Sequence, residues 1–171
     1  MPHAPQTLRL THWVLLGLLD EGPNHGFALA RLLGRGGEIG RVWSASRPLT
    51  YRAIDQLLAA DLITPARTEA GDGPVRTVYR LRPMGRRAVR EWLGTPVAHF
   101  RDVRAELVMK LLLLERSNRP TAALLNDQRE AFAVALARAQ ATVETDAVSR
   151  WRRSQAHAIE RFLTSRPGPL D

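Results

Sequence analysis

The chain contains no cysteine in its 171 residues, which excludes disulfides, thiolate catalysis and cysteine-ligated zinc or iron–sulfur sites. Lysine is nearly absent too. Lys110 is the only one, so 24 of the 25 cations are arginine, the better fork for phosphate. No apolar run approaches the ~20 residues that span a bilayer; Trp13 to Leu19 and Val108 to Leu114 are interrupted or flanked by Gly17, Lys110 and Glu115. No transmembrane helix is expected. Met1 to Leu10 shows no basic stretch leading into an apolar one and a small-residue cleavage site, which points to the cytoplasm.

What is present suits a folded water-soluble chain: 44 % hydrophobic and 25 % charged residues, at a length that allows one ordinary domain or two small ones. The net charge is +8, and between Arg41 and Arg90 ten arginines face only Asp55, Asp61, Glu69 and Asp72. That stretch is a candidate polyanion-binding surface. Charge alone fits a solvated surface of an arginine-rich chain equally well.

The order of elements narrows the choice. Leu8 to Asp20, with Thr11 as a cap, is apolar on nearly every side and predicts a buried helix that Glu21-Gly22-Pro23-Asn24 breaks. A second, amphipathic helix from Asn24 or His25 carries Phe27, Leu29, Leu32 and Leu33 and stops in the glycines from Gly34 to Gly40. A third is capped by Ser46 with Pro48 in its first turn. Its core side holds Leu49, Ala53, Ile54, Leu57 and Leu58, and its outer side Arg47, Thr50, Tyr51, Arg52, Asp55 and Gln56. The period then shifts to two. Leu62 to Glu69 and Val75 to Leu81, joined by Gly71-Asp72-Gly73-Pro74, predict a β-hairpin with Arg76, Val78 and Arg80 on one side, and Pro65 confines the first strand to an edge or a strand start. Helix three followed by a basic hairpin is the order of a winged helix-turn-helix. Met84 to Leu93 closes this unit as a helix. Beyond Pro96 the chain predicts helices only, over Arg101 to Arg116, Thr121 to about Thr145, and Ala147 to about Thr164. The fold class expected is mainly α: a winged helix-turn-helix over 8–95, then an α-helical dimerisation domain over 96–166. The wide apolar surfaces of Leu107, Val108, Leu111, Leu112 and Leu114, and of Leu124, Leu125, Phe132, Leu136 and Val143, favour pairing with a second copy.

Catalytic patterns are missing. The glycines 34–40 follow a helix and put Ile39 where a dinucleotide fingerprint needs its third glycine. The five histidines occur singly, read as structural or exposed, and no nucleophile elbow, zinc-protease or phosphate-loop motif occurs. No enzyme activity, metal or cofactor is expected. Double-stranded DNA explains more: helix starts read base edges, and wings contact phosphate or the minor groove. Ser46, Arg47, Thr50, Tyr51 and Arg52 are the primary candidate contacts, and Arg67, Arg76 and Thr77 the wing contacts. Each arginine has an alternative as a solvated charge or the partner of Asp55, Asp61, Glu69 or Asp72, and Tyr51 one as a core-edge aromatic. A different class stays open, a non-catalytic module whose basic unit docks an acidic protein.

From Val14 to about Leu93 these residues resemble the PadR family of transcriptional regulators, in its larger members with a helical C-terminal dimerisation domain. The resemblance lies in Leu15-Leu16-Gly17-Leu18-Leu19 leading through Gly22-Pro23 to His25-Gly26-Phe27, in Trp43 and Leu49-Thr50-Tyr51-Arg52-Ala53-Ile54, and in Tyr79-Arg80-Leu81, Gly85-Arg86-Arg87 and Glu91-Trp92-Leu93. Phe27 stands where tyrosine is usual, Arg52 where proline is common and Asp61 where glycine is usual; Arg82-Pro83 replaces a threonine cap and its successor. A looser match continues through Arg101-Asp102-Val103 and Lys110-Leu111 to Ile159-Glu160-Arg161-Phe162-Leu163. The resemblance implies a homodimeric repressor of an inverted repeat that can release it on binding a small, often aromatic, molecule. Trp13, Phe27, Trp92, Phe100 and Trp151 are the aromatic candidates for such an effector site, with core packing as the alternative.

Overall fold

The computed structural model of the protein describes residues 8–70 and 75–165. The turn Gly71-Asp72-Gly73-Pro74 expected to close the hairpin lies outside the described residues, as do 1–7, read above for a leader, and residue 166, the expected end of the second unit. Helix α1 (Leu10–Glu21) is apolar all round, with Val14, Leu15 and Leu16 fully buried. Arg9, not Thr11, stands at its N-cap; the Thr11 hydroxyl instead accepts from Trp43 Nε1 at 3.2 Å. His12 is buried, with Nδ1 accepting from Arg9 N at 2.9 Å and Nε2 2.8 Å from Gln56 Oε1, which ties α1 to the third helix.

Strand β1 (Asn24–His25) is too short for any period to reveal, and it leads directly into α2 (Gly26–Leu33). The His25 side chain caps α2 by accepting from Ala28 N at 3.0 Å. After a 3-10 turn (Ile39–Arg41), α3 (Arg47–Ala59) starts at Ser46 as expected, although the Ser46 side chain makes no capping bond. The helix ends in a 6→1 bond from Leu62 N to Leu57 O around Asp61, whose φ of 60° is the left-handed turn that an aspartate tolerates better than most residues. Arg82 pairs with the Asp61 carboxylate.

Strands β2 (Ile63–Glu69) and β3 (Arg76–Leu81) pair antiparallel, and β1 adds on the far side of β3, giving the order β1-β3-β2. Pro65 therefore sits on an edge strand, where a missing N–H is tolerated. A bulge between Pro65 and Arg67 shifts the register. The outer set predicted for β3 is wrong at Val78, which is buried. β3 is the middle strand, covered by α1 and α2 where they cross it, and only beyond that cover are Arg76 and Arg80 exposed.

Helix α4 (Pro83–Gly94) packs on α1 and presents Val89, Trp92 and Leu93 inward. The next helical run begins as α5 (Phe100–Asp102), widens into a π turn (Val103–Leu107) and continues as α6 (Val108–Arg116). Helix α6 lies against α1 at Gly17, where an added Cβ would stand 2.6 Å from Leu113 Cδ1. Helix α7 (Ala122–Gln140) stops five residues before the expected end and leaves Val143 in the connection. The physical reason is the start of α8 (Ala147–Thr164): Asp146 and Ser149 form a reciprocal capping box, so the chain must reverse before Asp146. Gln128 of α7, fully buried, accepts from Val97 N at 2.7 Å and donates to Val97 O at 3.0 Å, pinning the segment between α4 and α5. The buried apolar residues form one continuous cluster from α1 through α8.

Candidate nucleic-acid interface

Arg47, the first residue of α3, carries its charge at the positive end of the helix, where the macrodipole disfavours a cation. Aromatic faces hold it there: its Cζ lies 5.3 Å from the Phe27 ring centre and 5.7 Å from that of Tyr51. Arg76, the first residue of β3, lies 5.1 Å from the same Phe27 ring. Phe27, Arg47, Tyr51, Arg76, Thr77 and Tyr79 thus line one cleft of about 360 Å³ between α2, α3 and the wing. Tyr51 can reach this position because Gly26 leaves room; a Cβ there would stand 2.9 Å from its ring. Burial, and then the Asp55 carboxylate, push the Tyr79 hydroxyl above the usual tyrosine range.

The structure brings four of the predicted contacts together, namely Arg47, Tyr51, Arg76 and Thr77. Ser46 is exposed beside them. Arg52 is exposed on the other flank of α3, in a groove with Trp43, Leu49 and Gln56. Thr50 is a correction: it is fully buried, and its hydroxyl donates to Ser46 O at 3.1 Å, so it has no surface to offer. Leu49, expected in the core, is instead 51 % exposed. The two residues exchange sides because Thr50, not Leu49, stands at the i, i+3, i+4, i+7 spacing with Ala53, Ile54 and Leu57 that defines the buried face. Arg67 makes the ion pair that was its alternative reading, its Nη2 2.7 Å and its Nε 3.0 Å from Glu69 Oε1. Arg47, Arg52, Arg76 and Arg80 have no carboxylate within ion-pair distance among the described residues.

The aromatic candidates divide among four places. Trp13 and Trp92 stack with ring centres 5.4 Å apart and planes 3° from parallel, where α1 and α4 meet the later helices. They border a cavity of about 550 Å³ that also takes in Glu106 and Lys110. Phe100 packs edge-on against Phe132 at 4.9 Å. Phe27 is not at that junction but on the arginine cleft, and Trp151 is 65 % exposed on α8. The sequence reading missed Lys110 altogether. It is buried, donates to Thr95 O at 2.7 Å, pairs with Glu106 at 2.8 Å and lies 4.9 Å from the Trp92 ring centre. Burial pushes its ammonium below the usual lysine range, partly opposed by Glu106. Trp92 Nε1 donates to the same Glu106 carboxylate at 3.0 Å. A sole lysine inside an apolar run was the available signal. No cluster of three or more histidine, aspartate or glutamate side chains poised for a metal occurs among the described residues, and none of their helices is long and apolar enough to cross a membrane.

Helices α1 to α3 followed by a two-stranded wing define a winged helix-turn-helix, here continued by further helices. Residues 15–91 match the model of the transcriptional regulator PadR-like family, which makes this region PadR-like. Among solved structures, Bacillus subtilis PadR in complex with operator DNA is 21 % identical, with a TM-score of 0.50 over 92 % of this chain and 97 % of that one. The same B. subtilis protein in complex with p-coumaric acid is 18 % identical, with a TM-score of 0.47 over 91 % and 95 %. Smu.1604c from Streptococcus mutans UA159 is 15 % identical, at 0.45 over 89 % and 95 %. No curated protein matches the sequence.

Proposed function

We propose that the protein is a sequence-specific DNA-binding repressor that acts in the cytoplasm as a homodimer on a pseudo-palindromic operator. The observation that carries this reading is the set of exposed arginines without carboxylate partners among the described residues at the start of α3 and on the wing, Arg47, Arg52 and Arg76. A guanidinium at a helix N-terminus that meets aromatic faces but no carboxylate keeps its charge free for phosphate. In this reading 8–95 binds DNA and 96–166 dimerises. Ser46, Tyr51 and Arg52 approach base edges from α3, and Arg47, Arg67, Arg76 and Thr77 hold backbone or groove. Two copies set their α3 helices in major grooves about 34 Å apart.

The proposal extends to release by a small aromatic molecule at the cavity beside Trp13 and Trp92, supported by their stacked rings and the neighbouring Lys110 charge. Tryptophan fluorescence titrated with flat aromatic acids tests that part; an unresponsive signal across the panel leaves the two rings as packing.

The test of the whole is selection of bound sequences from a random duplex library at two salt concentrations, with the mass in solution measured alongside. Enriched half-sites one turn apart, a dimer mass and a log–log salt slope near −5, for about six neutralised phosphates, are the expected results. Tyr51→Ala and Arg52→Ala should relax sequence preference at about 1–3 kcal/mol, while Arg76→Ala weakens all sequences evenly. Failure to retard any duplex at low salt overturns the proposal and moves an acidic protein partner ahead of DNA.

A further inference from the structure

Phe27 is a large apolar side chain left 40 % exposed, and its ring is the only aromatic among the described residues that two guanidiniums share. Those guanidiniums come from different elements. Arg47 opens α3 and Arg76 opens β3, while Phe27 itself belongs to the first turn of α2. Two cations on one ring stand at a separation comparable with the ~10 Å screening length of 0.1 M salt, so they repel one another in the free protein. The negative ring face offsets part of that repulsion and removes rotamer freedom from both side chains. We propose that Phe27 is a positioning residue for nucleic-acid binding: its ring holds Arg47 of the reading helix and Arg76 of the wing as one preformed clamp for the phosphate backbone, coupling the two contact elements.

This inference rests on the DNA reading above and adds to it. Neither arginine has a carboxylate partner among the described residues, so the ring is their fixed support there. Tyr51, seated on Gly26, closes the other side of Arg47. A preorganised pair loses less freedom on binding than two free arginines do, so removing the ring should cost affinity although no charge is removed.

The test titrates a fluorescent random-sequence duplex at low salt with the wild type, Phe27→Leu and Phe27→Tyr, each also in an Arg47→Ala/Arg76→Ala background. Phe27→Leu should weaken binding about five- to thirtyfold, the range for two exposed cation–π contacts, while Phe27→Tyr, which keeps the ring, binds like the wild type. In the double-alanine background Phe27→Leu should change affinity less than about twofold, because the groups it positions are gone. Without DNA, the Arg76 Nε–H resonance should show a ring-current shift that Phe27→Leu abolishes, while that of Arg47, which also faces Tyr51, is reduced. Binding by Phe27→Leu equal to that of the wild type overturns the inference alone. So does an equal loss in both backgrounds, which marks a merely structural ring. A wild type that binds no duplex overturns the DNA reading and this inference with it.

Discussion

Helix α1 buries seven of its twelve residues, whereas α7 buries four of nineteen and α8 three of eighteen. Both regions nevertheless expose large apolar side chains, and the difference lies in their company. In the winged region Phe27 lies under Arg47 and Arg76, and Trp43 and Leu49 flank Arg52. On the helix pair, Val134, Val143 and Val148 line a shallow groove with alanines and threonines, edged by Arg138, Asp146 and Arg152. Apolar surface beside unpaired cations suits a charged partner that also stacks or packs. Apolar surface beside small residues and charges of both signs suits another helix. The fold therefore divides into a face prepared for a polyanion and a face that supports the proposed pairing with a second copy.

The joint between the two regions is where the largest effect is expected. Trp92 stacks on Trp13, donates to Glu106 and underlies Lys110, so it touches α1 and the π turn at once. Trp92→Ala should lower stability by about 3–5 kcal/mol, read as a shift in urea midpoint. If the regions are independent, only one of two unfolding transitions moves; a single transition that shifts as a whole shows that the joint makes them one cooperative unit.

Lys110 sharpens the same point. Lys110→Met leaves the Thr95 carbonyl without its donor, a cost of about 1–3 kcal/mol near neutral pH. The pH dependence gives the sign. Burial lowers the folded-state pKa of this ammonium, so between that value and about 10.4 the unfolded chain binds more protons and wild-type stability rises with pH. The methionine variant lacks that rise. Subtracting its urea midpoints from those of the wild type up to pH 10 cancels other titrations, and a flat difference would show that the lysine is solvated in solution.

How much of this was legible beforehand follows the range of the interactions. Helices α1, α3, α4 and α8 were read within a few residues from apolar spacing and from Gly and Pro stops, which are local. The edge position of β2 followed from Pro65 alone, and the left-handed turn at Asp61 from the family pattern. What failed was set by contacts distant in sequence. β1 exists because β3 lies beside it, and Val78 is inside because two helices cross the middle strand. The Thr50 and Leu49 exchange is different, because Thr50 stands at helical spacing from Ala53, Ile54 and Leu57 and only its polarity argued for the surface. In the candidate interface the structure brings Arg47, Tyr51, Arg76 and Thr77 to one cleft, and it adds Phe27, which the sequence groups with Trp13 and Trp92. Its partners lie 20 and 49 positions along the chain, and no periodicity reports such a meeting. The π turn left no trace in the pattern, since Val103 and Leu107 are also spaced as on an ordinary helix.

On the helix pair a smaller effect is expected. Val134 is 82 % exposed on α7, so a charge there should cost the fold little. Val134→Glu should nevertheless weaken the proposed dimer about tenfold by placing a carboxylate, which must shed water even beside Arg138, in the contact. Mass in solution against concentration measures it, with circular dichroism unchanged. A dimer indifferent to this substitution would move the pairing surface off the α7–α8 groove and blunt the contrast between the two faces.

The smallest effect concerns Arg67, the wing arginine that is not free. Its guanidinium spans Glu69 through two bonds to one carboxylate oxygen, and both side chains are largely exposed. Exposed pairs contribute at most about 1 kcal/mol, so Glu69→Gln should leave the melting temperature almost unchanged. On DNA the variant should differ. If Arg67 reaches a phosphate, the wild type must first break the pair, and Glu69 adds repulsion on the approach. Removing that carboxylate should tighten low-salt binding of any duplex by a few-fold and steepen the log–log salt slope by up to about one unit per protomer. An unchanged slope would confine the wing's contribution to Arg76, and the boundary of the polyanion face would then run between β3 and β2, at the bulge after Pro65.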